Sequence, residues 1–545
     1  MLFKNFSFKI VLIATLFSAP ALALVDLKNA NYSDAWIDIS LPGTGYDLKV
    51  ERAYNSRTLY NGLFGFGWCS DFETSLDITP EGNIKLTECG AGLEVLYQSK
   101  DFNERDIEKT VKAILEHVKK DNTGAPPNYF SDLEKRLKTD TALRGEYASK
   151  YGITRPIADK ARFYAGGKEA DFIEKNGQFY SRTTLDGSIQ KFKLNGKMDK
   201  IYDRNGNYLS LTYDGKLLKE VTDNSGRKLT FAYYDNGKVK SITGPGGIKS
   251  EYKFKNNNDL IYAKSSTGTV FSYDYDDLHN LTKIIFPDKT TKEMTYNKNM
   301  DWVTSFKDTD GCVEKYDYKA STDNPKDHFW ATVEKKCKTE VILTARYEFW
   351  YDWNSAHTGK FLKRSKTTEN KLTTDVVYNE LGKPLTVARN GKITKLEYYE
   401  DGLLKKKVSP DGVVTLVKYD NPFKKVSRVT KGSKTSDFYY DPKGNLVRAT
   451  NSDGQKISLG YDQRGRISLI EDQAKRKVAV KYEERFGKPA MIEREGVGSI
   501  NVTYNSRGDI DKVSSPAGST VAIQVASTFS NLLDLIQPAG VNLSF

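Results

Sequence analysis

Histidine and cysteine are scarce in this chain, with four of each among 545 residues, and little catalytic material is left. The histidines are His117, His279, His328 and His357. No His-Glu-x-x-His, Cys-x-x-Cys or Gly-x-Ser-x-Gly occurs, so the common zinc and acyl-transfer constellations lack their parts. Asp308-Thr309-Asp310-Gly311 and Asp203-Arg204-Asn205-Gly206 resemble the start of a calcium loop but lack its closing glutamate, and they read as turns. No cofactor and no metal are expected. Beyond the first two dozen residues no run reaches the ~18 apolar residues of a membrane span. Charge of one sign is not concentrated either. The net +12 comes from lysines dispersed among acidic residues, which speaks against a nucleic-acid face and for a solvated outer surface with a modest pull toward acidic envelopes.

The first residues carry Lys4 and Lys9, an apolar run from Ile10 to Phe17 and then Ala19-Pro20-Ala21-Leu22-Ala23. That order predicts an export signal over 1–23, cleaved after Ala23, and a periplasmic, cell-surface or extracellular protein. An even cysteine count in an exported chain favours disulfides. Four cysteines allow three pairings, and the sequence-local one is expected, Cys69 with Cys89 and Cys312 with Cys337.

What the chain has in abundance is a repeat. Tyrosine followed by Asp, Glu or Asn returns about every 21 residues at Tyr399, Tyr419, Tyr440, Tyr461, Tyr482 and Tyr504, and upstream at Tyr213, Tyr234, Tyr273, Tyr296, Tyr316 and Tyr378. Apolar residues alternate before each tyrosine, as in Ile457, Leu459, Tyr461 or Ile500, Val502, Tyr504. Period two means a strand with the ring at its end on the apolar face. The acidic residue opens a tight turn that usually closes on glycine, as in Asp441-Pro442-Lys443-Gly444, and an apolar pair three apart, such as Ile467 and Ile470, starts the return strand. Each repeat is one β-hairpin, too small to bury its apolar face alone, so neighbours must stack.

The pattern Tyr-Asp-x-x-Gly-x-Leu/Ile/Val, from about residue 190 to about 515, resembles the RHS or YD-repeat family, which includes bacterial RHS and wall-associated polymorphic toxins, C components of insecticidal toxin complexes and animal teneurins. Arg52-Ala53-Tyr54-Asn55-Ser56-Arg57 and Gly65-Phe66-Gly67-Trp68 are similar to the segment that leads into the repeats in bacterial members. The resemblance implies a long β-strip spiralling into a hollow shell, in some members around a toxic polypeptide. No extended Asp-Pro-x-Gly core segment follows the repeats here, and no further domain, so a short form without self-cleavage or an intrinsic toxin is expected.

The expected fold is thus mainly β, a repeat of antiparallel β-hairpins forming a spiralling strip or partial shell, with a small inserted α-helical hairpin. A β domain over 24–100 leads into the repeats. Over 101–160, Ile107, Val111, Ile114, Leu115 and Val118 take helical spacing, and Ser131-Asp132-Leu133-Glu134 reads as a capping box opening a second helix. This insertion is a lid or a partner-docking arm. The repeats run over 161–518, interrupted by a disulfide-tied zone over 312–377 whose Trp330, Phe349, Trp350 and Trp353 are either core or a platform for a sugar or a protein. Residues 519–545 read as a cap or plug. The expected function is non-catalytic binding, shielding or scaffolding of a protein or glycan partner, with peripheral envelope association. The alternatives are a surface adhesin using the tryptophans and an envelope hydrolase with carboxylates in the cavity.

Overall fold

The computed structural model describes residues 24–515 apart from 44, 89–92, 167, 256–257, 356–358, 485–486 and 506–509. The expected signal over 1–23 and the cap over 519–545 lie outside the described residues. Strands make up 54% of the described residues and helices 10%. One antiparallel sheet of 36 strands runs from Ser75–Ile78 to Ile510–Ser514, nearly every strand pairing with its sequence neighbour. It is an open strip, because these two end strands pair with different partners.

Each hairpin is built as its sequence dictates. Asp462 Oδ1 accepts from the Arg464 and Arg466 amides, and Gly465 at φ +80° closes the turn. The next strand opposes with Leu459 facing Ile470, then slips by a bulge between Gly460 and Tyr461 so that Tyr461 faces Ile467. The ring then lies along the strip and its hydroxyl donates to Leu446 O at 2.7 Å. The same stitch joins Tyr213 to Met198, Tyr440 to Val426, Tyr482 to Ile467 and Tyr504 to Pro489.

At four repeats the tyrosine that makes the stitch differs from the one read as the anchor. Tyr233, Tyr275, Tyr318 and Tyr398 bind the carbonyls of Leu218, Leu260, Val303 and Pro384, in place of Tyr234, Tyr273, Tyr316 and Tyr399. Two tyrosines stand one or two apart at these places; a bulge falls at Tyr233, Tyr275 and Tyr398, whereas Tyr318 lies in a strand whose pairing with the next runs without a register shift. Tyr234 and Tyr399 lie on the more exposed side and bond forward to Tyr252 O and Val417 O, both at 3.1 Å. Tyr273 is wholly buried, and Tyr419 is half-buried with its ring 6.1 Å from Tyr399.

A separate sheet of Leu24–Asp26, Asn31–Leu41, Leu48–Asn55 and Trp68–Cys69 lies on the apolar face of the strip and shares one core with it. Trp68 packs 5.1 Å from Tyr273, and Phe64 5.1 Å from Tyr252. Backbone bonds pin it down, from Ser266 N to Asp38 O at 2.7 Å and from Val303 N to Ala30 O at 3.1 Å. At its centre Arg52, fully buried, pairs with Asp38 beneath Trp36 and Trp68, while Tyr252 of the strip donates to Asp38 at 2.8 Å. The later hairpins, from Leu396 to Val502, have their own core.

The insertion is a bundle of three helices, where the sequence predicts a hairpin of two: α1 over Glu104–Asp121, α2 over Pro127–Thr139 and α3 over Thr141–Tyr151. The expected box at Ser131 is absent. Pro127 already starts α2, and the Ser131 hydroxyl bonds back to Asn128 O inside it. Asp140 caps α3 by accepting from the Leu143 amide at 2.9 Å. Few apolar residues mark α3, and its buried positions are Arg144 and Ala148, so periodicity missed it. The bundle has its own core and enters the sheet between two paired strands, Leu93–Gln98 and Arg162–Ala165.

Candidate functional site

The strip coils until its first repeats meet its later ones. The turn at 203–207 touches the turns at 441–445 and 462–466: Arg204 donates to Asn445 Oδ1 at 3.1 Å, Asn445 to Asn205 Oδ1 at 3.2 Å, and Asn207 to Arg464 O at 3.1 Å. A Cβ at Gly465 would lie 2.1 Å from Asn205, and one at Gly45 of the N-terminal sheet 2.1 Å from Asn207. Three elements thus converge on a seam of side-chain amides.

Beside this seam is a cavity of about 2010 Å³. Its lining includes Glu51 and Asp71 of the N-terminal domain, Glu88, Asp171 and Asp186 of the first hairpins, and Lys383, Lys424, Lys425 and Lys443 of the later ones, with Tyr398, Tyr440 and Leu446; Lys424 pairs with Asp401, also in the lining, at 2.9 Å. Burial and the neighbouring Glu51 carboxylate push the Asp71 carboxyl up to about 6. Burial, helped by Arg204, pulls the Lys425 ammonium down to about 8, where it donates to Gly444 O at 2.8 Å. Arg182 is locked, bidentate to Asp171 at 2.9 Å and also bonded to Glu88, while Tyr97 donates to Asp171 at 2.8 Å. Behind the wall, Glu73 accepts from the Leu63 and Ser70 amides and from Tyr60, yet burial pushes it up to about 7. Among the described residues, no group of three His, Cys, Asp or Glu side chains is placed to hold a metal ion. No helix there is long and apolar enough to cross a membrane.

Of the residues singled out in the sequence, the anchors Tyr419 and Tyr440 and the turn residues Asp203, Arg204 and Gly206 line this cavity, while the cysteines and the aromatic zone lie elsewhere. Cys312 and Cys337 are bonded, with Cα atoms 4.2 Å apart, at the base of unusually long strands. Cys69 is buried, and its expected partner Cys89 lies outside the described residues. Phe349 is buried, its ring 5.7 Å from Phe329 on the paired strand. Trp330 and Trp350 lie on the opposite face of the sheet, where Arg346 covers the Trp330 ring at 4.2 Å and Trp350 is packed by His328 at 4.8 Å and Arg364 at 4.8 Å. Glu348 ties this row by accepting from His328 at 2.7 Å and Arg346 at 3.1 Å. Trp353 is 46% exposed, with Lys360 over its ring at 5.2 Å. Nothing in the sequence marks these residues as meeting in a cavity, since they belong to turns and strand ends that also occur in repeats away from it.

Fold and cavity together define a coiled β-hairpin strip around an internal space. The RHS repeat model matches residues 440–473, and a domain of unknown function (DUF6531) matches residues 24–94, the N-terminal sheet and the first strip strands. Residues 440–473 thus carry an RHS repeat. No curated protein matches it. Among solved structures it is similar to TcdB2-TccC3 without its hypervariable C-terminal region, at 11% identity and TM-score 0.43, over 95% of this chain and 29% of that one. It is also similar to TcdB2-TccC3, at 11% identity and TM-score 0.39, over 92% of this chain and 32% of that one. This chain spans under a third of the length of those proteins.

Proposed function

We propose that this protein is an exported scaffold that holds a segment of a macromolecular partner in the space between its coils, without turning it over. The observation that carries this reading is the cavity itself. At about 2010 Å³ it exceeds the roughly 300–1,000 Å³ of small-ligand pockets, and its lining mixes carboxylates and lysines with apolar residues, which suits a stretch of polypeptide. The tryptophan zone supports a glycan platform poorly, because protein cations and a histidine already pack against the faces of Trp330 and Trp350 that a sugar ring would need. The helical bundle, with its own core outside the sheet, is the natural docking arm.

A pull-down from the envelope of the producing cell and from glycan arrays tests this, comparing wild type with Lys425→Glu, a deletion of 101–150, and a Trp330, Trp350, Trp353 triple alanine variant. A protein partner lost on charge reversal of Lys425 and kept in the tryptophan variant is expected. Glycan capture lost only in the tryptophan variant would replace this reading by the adhesin. One observation favours hydrolysis as a second reading, the raised Asp71 carboxyl facing Glu51 in the cavity. It stands if wild type cleaves a peptidoglycan or polysaccharide panel and Asp71→Asn does not.

A further inference from the structure

Hairpin turns alternate between the two rims of the strip, and the rim away from the tyrosine turns is polar where the repeats are regular. Asp308-Thr309-Asp310-Gly311, Ser409-Pro410-Asp411-Gly412 and Asn451-Ser452-Asp453-Gly454 stand there, each closing on a glycine at positive φ. Between the first two of these the pattern changes. Three successive turns on this rim, at 337–340, 369–372 and 389–392, are two-residue loops with Lys338 at φ +55°, Asn370 at +52° and Asn390 at +48°.

Register makes a staircase of these three tips. Ala345 pairs with Glu369, the last residue of its strand, so Val341 and Ile342 run on past the second turn with only the preceding strand beside them. Thr374 pairs with Arg389, so Leu372 outruns the third turn, and Lys395 pairs with Val408, so Ile393 outruns the turn at 409–412. The residue left at each step is aliphatic. Val341 is 46% exposed, Ile342 48%, Leu372 64% and Ile393 48%. The first step is braced from behind, where the bond from Cys312 to Cys337 ties its turn to the preceding one. Cations stand beside these side chains. Lys336, Lys338, Lys371, Arg389 and Lys392 are all exposed, and none of them pairs with a carboxylate among the described residues. The acids on the steps are fewer, Glu340 and Glu369, and Glu369 accepts from the Tyr347 hydroxyl at 2.7 Å. Asp310 stands in the turn behind, where Asp308 is already bridged to Lys335 at 3.4 Å.

We propose that these three hairpin tips dock the protein on an anionic lipid bilayer, with Val341, Ile342, Leu372 and Ile393 entering the headgroup layer and the five cations meeting the lipid phosphates. Aliphatic side chains that project singly from convex tips suit a fluid layer that closes around them, whereas a folded partner is held by a face or a groove. The excess of cations beside them selects negative headgroups. This inference is independent of the proposed cargo, because the later hairpins line the cavity with residues at their tyrosine turns, such as Tyr440 and Lys443, on the other rim.

Vesicle flotation with the full chain tests this, using phosphatidylcholine vesicles with and without about 30% phosphatidylglycerol at low ionic strength. Wild type is expected on the anionic vesicles, with partitioning about tenfold or more lower on the neutral ones. Val341→Ser with Ile342→Ser and Leu372→Ser should lower partitioning on the anionic vesicles about tenfold or more, and so should Lys338→Glu with Lys371→Glu and Lys392→Glu. Leu278→Ser with Lys298→Glu, at exposed positions in tyrosine turns, should float as wild type does. Every replaced side chain is exposed, so the variants are expected to fold, and circular dichroism checks that they do. No capture by either vesicle, equal capture by both, or capture that survives the two tip variants would each overturn the proposal.

Discussion

The tyrosine stitch shows how one residue does two jobs in a hairpin repeat. Its ring caps the apolar face at the strand end, and its hydroxyl donates to a carbonyl at the start of the previous return strand. Tyr461→Phe keeps the ring and loses the bond to Leu446 O, so a loss of about 1 kcal/mol is expected. Tyr461→Ala loses the half-buried ring as well, and about 3 kcal/mol is expected. Both should appear as faster amide exchange confined to the hairpins on either side, because each repeat contacts its neighbours. Unchanged exchange in Tyr461→Ala would show that the ring contributes no packing. Glu73 supplies a pH dependence. Its folded carboxyl is raised to about 7 from an ordinary 4.5, so the folded state binds the proton more tightly, and the stability this contributes is full below about 4.5 and is lost as pH rises through about 7. Melting temperature should therefore fall across that window, and Glu73→Gln should flatten the fall.

At the scale of elements, the helical bundle is an insertion that the sheet does not need. Tyr97 and Ala165 are directly paired across it, so the strip closes over the gap. The bundle is held at its base by Arg144, which donates to Glu81 of the turn at 79–83 at 2.5 Å and to Leu137 O at 2.7 Å, with both charged groups buried. Removing one partner of such a pair leaves an uncompensated charge. Arg144→Ala should cost about 3 kcal/mol or more, while Arg144→Ala with Glu81→Ala should recover part of that. Thermal melts of the two variants decide it: equal losses would mean that the ion pair adds nothing to the attachment. The long strands over 313–369 are the other departure from regularity, and there the disulfide fixes the hairpin base where the shorter repeats rely on turn residues alone.

For the whole molecule, the seam makes a cavity out of a ribbon. Residues about 240 to 257 apart meet through three amide contacts, and the close approach rests on Gly465 having no side chain. Gly465→Val puts carbon into Asn205 and also strains a backbone at φ +80°. The expected result is an opened coil with intact hairpins. Small-angle scattering should show a larger radius of gyration at unchanged far-ultraviolet circular dichroism, and a cysteine at Leu185 in the cavity should react faster with a bulky maleimide. An unchanged radius and labelling rate would mean that the coil is held elsewhere.

The hairpins were legible in the sequence because everything that makes them is local: alternation over five or six residues, an Asp or Asn that bonds its own turn, a glycine that accepts positive φ, and a pairing partner eight residues away. The bond between Cys312 and Cys337 was legible for the same reason. What the sequence left undecided begins where two local solutions are equally good, as with Tyr233 and Tyr234, whose choice rests on a bulge that the neighbouring strand imposes. It extends to α3, which is held by Arg144 rather than by an apolar stripe, and to the outward face of Trp330 and Trp350. Above all it covers the cavity. Small strand-to-strand rotations accumulate over some dozen hairpins before Asn205 reaches Gly465, and no short motif encodes such a sum. The sequence by itself determined the repeating unit; tertiary structure decided which coil meets which, and thereby brought Glu51 and Asp71 and the lysines of the later turns to one cavity.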